Sequence, residues 1–265
     1  MPEDPHEGIS VRRFFVEKIP KAEGSVTITG KEAKHISRAL RMGIGDQFIL
    51  LDREGVRFEV IVESVIPGSV TVALERQLPP PPESPVDLSI GQALLKSSAM
   101  EMMIQKTTEL GVTAVYPFIA RRSVVRPRAE KWDTRGKRWQ DIAVAASKQS
   151  DRARPPDVMP VQSFEELLQN PARAQTLKLI LWEEEQERGL KSTLRSLLPG
   201  SKGVLALVGP EGGFAREEIL RAGEAGFIPV SLGPQTLRAE TAAIAVTAIM
   251  HYESQAMEER NNPYA

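Results

Sequence analysis

Val204-Leu205-Ala206-Leu207-Val208-Gly209-Pro210-Glu211-Gly212-Gly213-Phe214 decides how the chain is read, and Phe227 to Leu232 followed by Gly233-Pro234-Gln235-Thr236-Leu237-Arg238-Ala239-Glu240-Thr241 repeats its plan. In each half an apolar run stops at glycine, the turn carries Gly or Pro, and a helix-forming segment begins almost at once. Glycine in such a turn adopts backbone angles closed to other residues and lets main chain approach a ligand without a Cβ in the way. Two of these turns at the ends of successive strands predict one pocket built mostly from backbone.

Working outward, the pattern from Val86 onward alternates strands and helices. Strands are expected at Leu88 to Leu94, Thr113 to Ile119, Leu177 to Trp182, Val204 to Val208 and Phe227 to Ser231. Helices are expected at Ser97 to Leu110, with Met100, Met103, Ile104 and Thr107 inward, at Lys131 to Lys148, and at Leu190 to Leu197. Gly111 is a good helix stop. Such regular alternation implies a parallel sheet with helices on both faces. The last helix, Ala239 to Met257, begins apolar nearly all round (Ala242, Ala243, Ile244, Ala245, Val246, Ala248, Ile249, Met250), so it must be buried on most sides.

Upstream the texture is different. Arg12 to Glu17, Ser25 to Ile28, Gln47 to Leu51, Val56 to Val62 and Val70 to Leu74 read as short strands, with tight turns at Asp52-Arg53-Glu54-Gly55 and Pro67-Gly68. Gly30 to Arg41 reads as one helix, with Ala33, Ile36 and Leu40 on one side and Lys31, Lys34, His35, Arg38 and Arg41 on the others. Short strands and a single helix suggest a small barrel-like module. Pro79-Pro80-Pro81-Pro82-Glu83-Ser84-Pro85 cannot join a sheet interior and favours a semi-rigid extended spacer. The expected organisation is therefore a β-barrel domain over 1–78, a Pro-rich linker over 79–85 and an α/β domain over 86–265.

Bulk composition narrows the function classes. Among 265 residues, 41% are hydrophobic and 26% charged, which is ordinary for a globular protein. No apolar run approaches the ~20 residues needed to span a bilayer, and Met1 to Ser10 is acidic without an apolar core, so it is no secretory signal. With no cysteine, disulfides and thiolate zinc sites are excluded, and a cytoplasmic protein without a metal is the expectation. The net charge of -1 averages unlike regions: Arg121 to Arg154 holds eleven Lys/Arg against four Asp/Glu, offset by Glu183, Glu184, Glu185 and Glu187. A local basic face is what phosphate binding requires, although a solvated charged helix has the same composition.

Gly-Pro-Glu-Gly-Gly-Phe, followed at this distance by Leu-Gly and Leu-Arg-x-Glu-Thr-Ala, resembles the SPOUT class of RNA methyltransferases, and more narrowly the RsmE family of uracil-N3 methyltransferases of 16S ribosomal RNA. Arg12-Arg13-Phe14-Phe15 and His35-x-x-Arg38-x-Leu40-Arg41-x-Gly43-x-Gly45-Asp46 match its PUA-like RNA-binding domain. Lys96, Met100-Glu101, Gln105-Lys106 and Glu109-Leu110-Gly111 match its first catalytic-domain helix, and Arg122-Ser123, Arg138-Trp139, Gln149-Ser150 and Arg152 the segment beyond. The chain departs from the family pattern at Lys148, where an acid is usual, at Asp151, where glycine is usual, and at Gln235-Thr236, where Arg-Ile is more typical. The resemblance implies S-adenosylmethionine as cofactor, the assembled small ribosomal subunit as partner, a homodimer formed through the C-terminal domain, and a C-terminal segment threaded through a trefoil knot.

The resemblance assigns roles to residues. Leu207, Gly209, Pro210, Glu211, Gly212, Gly213, Leu232, Gly233, Leu237, Thr241 and Ala242 are the candidate cofactor residues, with Leu207, Leu232 and Leu237 flanking the adenine and the helix start after Arg238 offering backbone amides to an anionic group. Uracil N3 carries a proton at neutral pH and lies on the pairing edge, so the base must be unpaired and lose that proton. Arg238 is the candidate for stabilising charge on the carbonyl oxygens. Glu240 is either the base, a helix cap or a partner of Arg238, and Glu211 either stabilises its turn or contacts the ligand. Arg12, Arg13, His35, Arg38, Arg41, Arg122, Arg138 and Arg152 are the candidate RNA-binding residues, because phosphate binding sums over many contacts. Other readings are a non-catalytic RNA-binding assembly factor and a ribose 2'-O-methyltransferase. A Rossmann enzyme would need Gly-x-Gly-x-x-Gly after the first parallel strand, whereas Gly43-x-Gly45 lies in the barrel module; a P-loop is absent.

Overall fold

The computed structural model describes residues 12–20, 24–52, 54–79, 86–125, 132–169 and 176–261, the side chains of 257–261 excepted. Most of the proline run, the N-terminal ten residues, Arg126, Arg128 and Lys131 lie outside the described residues. The chain divides into two compact units, Met1–Pro82 with Lys148–Arg154, and Glu83–Ser147 with Pro155–Ala265.

In the first unit, β1 (Arg13–Phe15), β2 (Ser25–Thr29), β3 (Gln47–Leu51), β4 (Arg57–Ile66) and β5 (Ser69–Leu78) form one sheet in the order β1-β3-β4-β5-β2. Only β1 and β3 run parallel; the other pairs are antiparallel. Register shifts after Glu59 and after Val62 bend β4, and the sheet curls over a core that includes Phe14, Ile28, Ile36, Phe48, Leu50, Val60 and Val72. Phe14 meets Phe48 edge-on, with ring centroids 4.7 Å apart. Asp52 is fully buried, and its carboxylate accepts from the N–H groups of Ile19 at 3.0 Å, Glu54 at 2.9 Å and Val56 at 3.0 Å, which satisfies the charge.

The helix expected over Gly30 to Arg41 is split. It is α-helical over α1 (Gly30–Lys34) and continues as a π-helical turn over His35–Ala39. The Ser37 hydroxyl donates to the Ala33 carbonyl at 2.7 Å, and Leu40 N–H reaches back five residues to the His35 carbonyl at 3.0 Å, the π-helical spacing. Arg41 ends the turn with φ +52.

Lys148–Arg154, assigned from sequence to the second domain, packs with the first unit because its charges find partners there. The Lys148 ammonium pairs with Glu32 at 2.5 Å, and Asp151 pairs with Arg13 at 2.8 Å and Arg57 at 3.3 Å. Asp151 has φ +53, the left-handed region that glycine favours and that Asp tolerates better than most side chains. Lys148 thus enters an ion pair, and Asp151 holds its left-handed backbone beside two guanidinium groups.

The second unit is an α/β layer structure. Strands β6 (Asp87–Ala93), β7 (Ala114–Ile119), β8 (Asp157–Val158), β10 (Thr176–Leu181), β11 (Gly203–Val208) and β12 (Ile228–Val230) lie in the order β12-β10-β11-β6-β7-β8, all parallel, and β9 (Gln162–Ser163) also pairs with β7. Strand alternation sends Leu88, Ile90, Val204, Ala206 and Val208 to one face, beneath α2 (Ser97–Glu109), α3 (Trp132–Gln149), α5 (Leu190–Leu197) and α7 (Ala239–Asn261). It sends Ala93, Phe118, Leu205 and Leu207 to the other, beneath α4 (Phe164–Leu168) and α6 (Arg216–Glu224). The buried stripe of α7 (Ala239, Ala243, Val246, Thr247, Met250, Glu253, Ser254) leaves Ile244, Ala245, Ala248 and Ile249 only half covered. No helix among the described residues is long and apolar enough to cross a membrane.

Candidate functional site

Both glycine corners open on one cavity of about 760 Å³ at the carboxyl ends of β10, β11 and β12. In parallel sheets this is where ligands bind, since the strand ends leave a crevice lined by loops and helix starts.

The first corner, Gly209 to Phe214, is held by several bonds. Gly213 N–H donates to the Pro210 carbonyl at 2.9 Å, closing the turn, and Gly213 has φ +66. A Cβ on Gly209 would stand 3.2 Å from the Phe214 ring, a contact tight enough that the ring would have to give way. The Arg122 guanidinium donates to the Gly212 carbonyl at 3.1 Å. Glu218, buried to 7% exposure, accepts from the N–H groups of Ala215 and Arg121, both at 2.8 Å, and so fixes the start of α6 and the strand end beside it.

Gln92, at the end of β6, is fully buried and donates its amide to the carbonyls of Ala93 at 3.0 Å and Gly209 at 3.1 Å. It ties the first corner to the neighbouring strand. The second corner is held by Ser231, whose N–H donates to the Arg188 carbonyl at 2.9 Å and whose hydroxyl exchanges contacts of 3.2 Å with Gly233. Beyond it, Ala242 N–H donates to the Arg238 carbonyl at 2.8 Å, starting α7.

Of the residues expected at a cofactor, Gly209, Pro210, Glu211, Gly212, Gly213, Leu232, Gly233, Leu237 and Ala242 line the cavity, as do Arg238 and Glu240. Two do not. Leu207 is fully buried on the opposite face of the sheet, where its side chain fills the space left by Gly91, so it gives the cavity no apolar wall. Thr241 is exposed on the first turn of α7. Glu211 accepts from Lys96 N–H at 3.4 Å, and Arg238 is exposed. Trp182, Glu183 and Lys96 also line the cavity, and sequence reading had not singled out any of them for it.

The residues expected at RNA fall in both units. In the first, Arg12, His35, Arg38 and Arg41 are exposed; the His35 ring meets Phe14 edge-on at 5.8 Å, and Arg13 is engaged by Asp151. Arg152 is half-buried. In the second, Arg122 lies against the first glycine corner, and Arg138 makes a two-pronged pair with Glu101 at 2.7 and 2.8 Å. Accepting from the Arg138 guanidinium holds the Glu101 carboxyl below its ordinary value, and the same hydrogen bonds raise the guanidinium's. Among the described residues no group of three or more His, Cys, Asp or Glu side chains is arranged to hold a metal ion.

A family model described as an RNA methyltransferase domain matches residues 82–251, and one described as an RNA methyltransferase PUA domain matches residues 28–75. Ribosomal RNA small subunit methyltransferase E of Bacillus subtilis (strain 168) is 34% identical over 254 residues, covering 92% of this chain and 98% of that protein. The chain belongs to the ribosomal RNA small subunit methyltransferase E family. A member from Mycobacterium tuberculosis (strain CDC 1551 / Oshkosh) is 33% identical over 233 residues, 87% of each chain. Among solved structures, a family member from Neisseria gonorrhoeae bound to S-adenosyl methionine superposes with a TM-score of 0.82 at 28% identity, over 91% of this chain and 97% of its own. A methyltransferase structure from Legionella pneumophila, in complex with the same cofactor, gives 0.84 at 29% identity over 92% and 98%.

Proposed function

We propose that this chain transfers a methyl group from S-adenosylmethionine to N3 of a uridine in 16S ribosomal RNA of the small subunit. S-adenosylmethionine-dependent methylation of small-subunit ribosomal RNA is the family's activity; the N3 position is the finer part of the reading. The observation that carries it is the cavity itself. Its walls are the two glycine corners, with peptide groups for the polar edges of adenine and ribose, and Leu232, Leu237 and Trp182 for apolar surface. These residues fit an elongated nucleoside carrying an amino-acid tail.

The cofactor supplies an electrophilic methyl group on a sulfonium, and the protein's part is to align the nucleophile with it and exclude water. Arg238 lines the cavity beside the second corner and is suited to stabilise negative charge on the uracil carbonyl oxygens. Glu240, two residues on and half-buried, is suited to take the N3 proton. Arg12, Arg13, His35, Arg38, Arg41, Arg122, Arg138 and Arg152 supply phosphate contacts, and the small subunit in the cytoplasm is the partner. We take the homodimer to form through the C-terminal domain, where Met102 of α2 and Tyr252 of α7 are among the exposed large apolar side chains, and the C-terminal segment as knotted.

Reverse transcription across ribosomal RNA from a deletion strain tests the reaction. Loss of one strong stop, restored by the wild-type gene and not by Arg238→Ala, is the expected result, since N3 methylation blocks pairing. Unchanged uridine methylation in that strain would end the proposal, and a change visible only at low nucleotide concentration would assign ribose methylation instead.

A further inference from the structure

Strand β10 lies between β11 and β12, so its carboxyl end emerges between the two glycine corners. That end carries Leu181, Trp182 and Glu183, and all three line the cavity. The main chain there is fixed, with Trp182 N–H donating to the Val230 carbonyl at 3.1 Å and Glu185 N–H to the Trp182 carbonyl at 3.3 Å.

Glu183 opens an acidic run, but its neighbours are used differently. The Glu185 carboxylate accepts from the N–H groups of Glu187 at 2.8 Å and Arg188 at 3.1 Å, so it stabilises its own turn. The Glu183 carboxylate instead lies over Gly213, where a Cβ would stand 2.1 Å from Oε1. The missing side chain at Gly213 therefore leaves the room that this carboxylate takes. A carboxylate thus stands on the cavity wall, at the middle of the three strand ends.

We propose that Glu183 is the counter-charge for the cationic part of the methyl donor, its sulfonium or its α-ammonium group, and that it sets how the donor lies between the two corners. This rests on the reading of the cavity as the donor site. The cavity's other charged residues are Lys96 and Arg238, which suit the donor's carboxylate and the charge developing on the uracil, and two further carboxylates, Glu211, which accepts from Lys96 N–H at 3.4 Å, and Glu240, which the proposed reaction uses for the N3 proton; Glu183 is the carboxylate at the strand end between the two corners. A carboxylate beside a cation in a partly enclosed site interacts more strongly than in open water.

Titration calorimetry on the full chain tests this with three probes: S-adenosylmethionine, S-adenosylhomocysteine, which lacks the sulfonium charge, and 5'-methylthioadenosine, which lacks both cationic groups. Glu183→Gln is expected to weaken S-adenosylmethionine roughly 10- to 100-fold, the range for losing a charge-assisted contact, while leaving 5'-methylthioadenosine within about twofold and the melting temperature of the free protein unchanged. Parallel weakening of S-adenosylhomocysteine assigns the contact to the ammonium; an unchanged value assigns it to the sulfonium. Equal losses for all three probes, or no loss for any, overturns the proposal. Wild-type protein that bound none of them would instead sink the donor-site reading.

Discussion

Gly213→Ala is the sharpest test of the first corner, because two separate costs can be worked out for it. The residue sits at φ +66, and holding an alanine in the left-handed region costs roughly 1–2 kcal/mol. The added Cβ would also stand 2.1 Å from Glu183 Oε1, so the carboxylate must swing away. That atom is the end of a flexible side chain, so the move adds little to the folding cost but takes the charge from its position. For a protein of this size each kcal/mol shifts the melting temperature by roughly 2–4 °C. A fall of roughly 2–8 °C is therefore expected, together with a weakening of S-adenosylmethionine binding of about tenfold, equivalent to about 1.4 kcal/mol. Gly223→Ala is the matched control. That glycine is exposed in α6, with nothing within 4 Å of a built Cβ, and its φ lies outside the positive range. Alanine there should raise stability by roughly 0.5–1 kcal/mol and leave binding alone. Differential scanning calorimetry and titration calorimetry on the two variants decide the matter. If Gly213→Ala melted and bound like wild type, the account of the corner as a conformationally obligatory glycine turn would be wrong.

Gln92→Leu removes the amide that serves the Ala93 and Gly209 carbonyls, so urea unfolding should show a loss of roughly 1–3 kcal/mol, with weaker donor binding; an unchanged midpoint refutes the tether. Asp151→Asn keeps a side chain that tolerates φ +53 but leaves the Arg57 guanidinium, 10% exposed, without its carboxylate. A loss of roughly 1–3 kcal/mol is expected by chemical unfolding, and a neutral result would show that the ion pairs are incidental. The Arg138 guanidinium, donating to the Glu101 carboxylate, holds that carboxyl below its ordinary value. A depressed folded value contributes stability above the unfolded value and loses it as pH falls through the folded one, so in Arg138→Gln the carboxyl midpoint seen by carbon NMR should rise toward that of an ordinary glutamate; no movement would refute the assignment. Arg38→Ala should lower the slope of log affinity against log salt for small-subunit RNA by about 0.7–0.9, and an unchanged slope would remove Arg38 from the phosphate contacts.

Much of the architecture was legible because it follows from periodicity. Apolar runs that end in glycine and alternate with helix-patterned segments gave the parallel layer, and the limits of β3 and α5 agree with those read from sequence. The elements that were missed are those too short to show a period. β8 and β9 have two residues each. α4 has five, although its start was signalled by Ser163 three residues before Glu166, a reciprocal cap that the structure contains. The π-helical turn was invisible for another reason. Ala33, Ile36 and Leu40 suit either helix, so their spacing does not distinguish the two. Leu207 went to the wrong side of the argument because period-2 alternation says which residues share a face but not which face carries the cavity.

The site was less legible than the fold, and strand order explains why. The chain runs from β10 to its neighbour β11, and then through α6 to β12 on the far side of β10. The two glycine corners are consecutive in sequence, yet in space β10 stands between them, so the residue that separates them comes from upstream of both. Gln92 arrives in the same way, from β6 on the other flank of β11. Neither residue has a local signature: an amide or a carboxylate at a strand end is an ordinary polar residue until the sheet order brings it beside a glycine. The corners announce themselves because glycine is a backbone requirement written at its own position. The groups that fix them in place, and that select the charge of what they bind, are set by pairings between distant segments. Reading such a site therefore depends on asking which strand end lies between two motif turns, and what charge that strand carries just beyond its last buried residue.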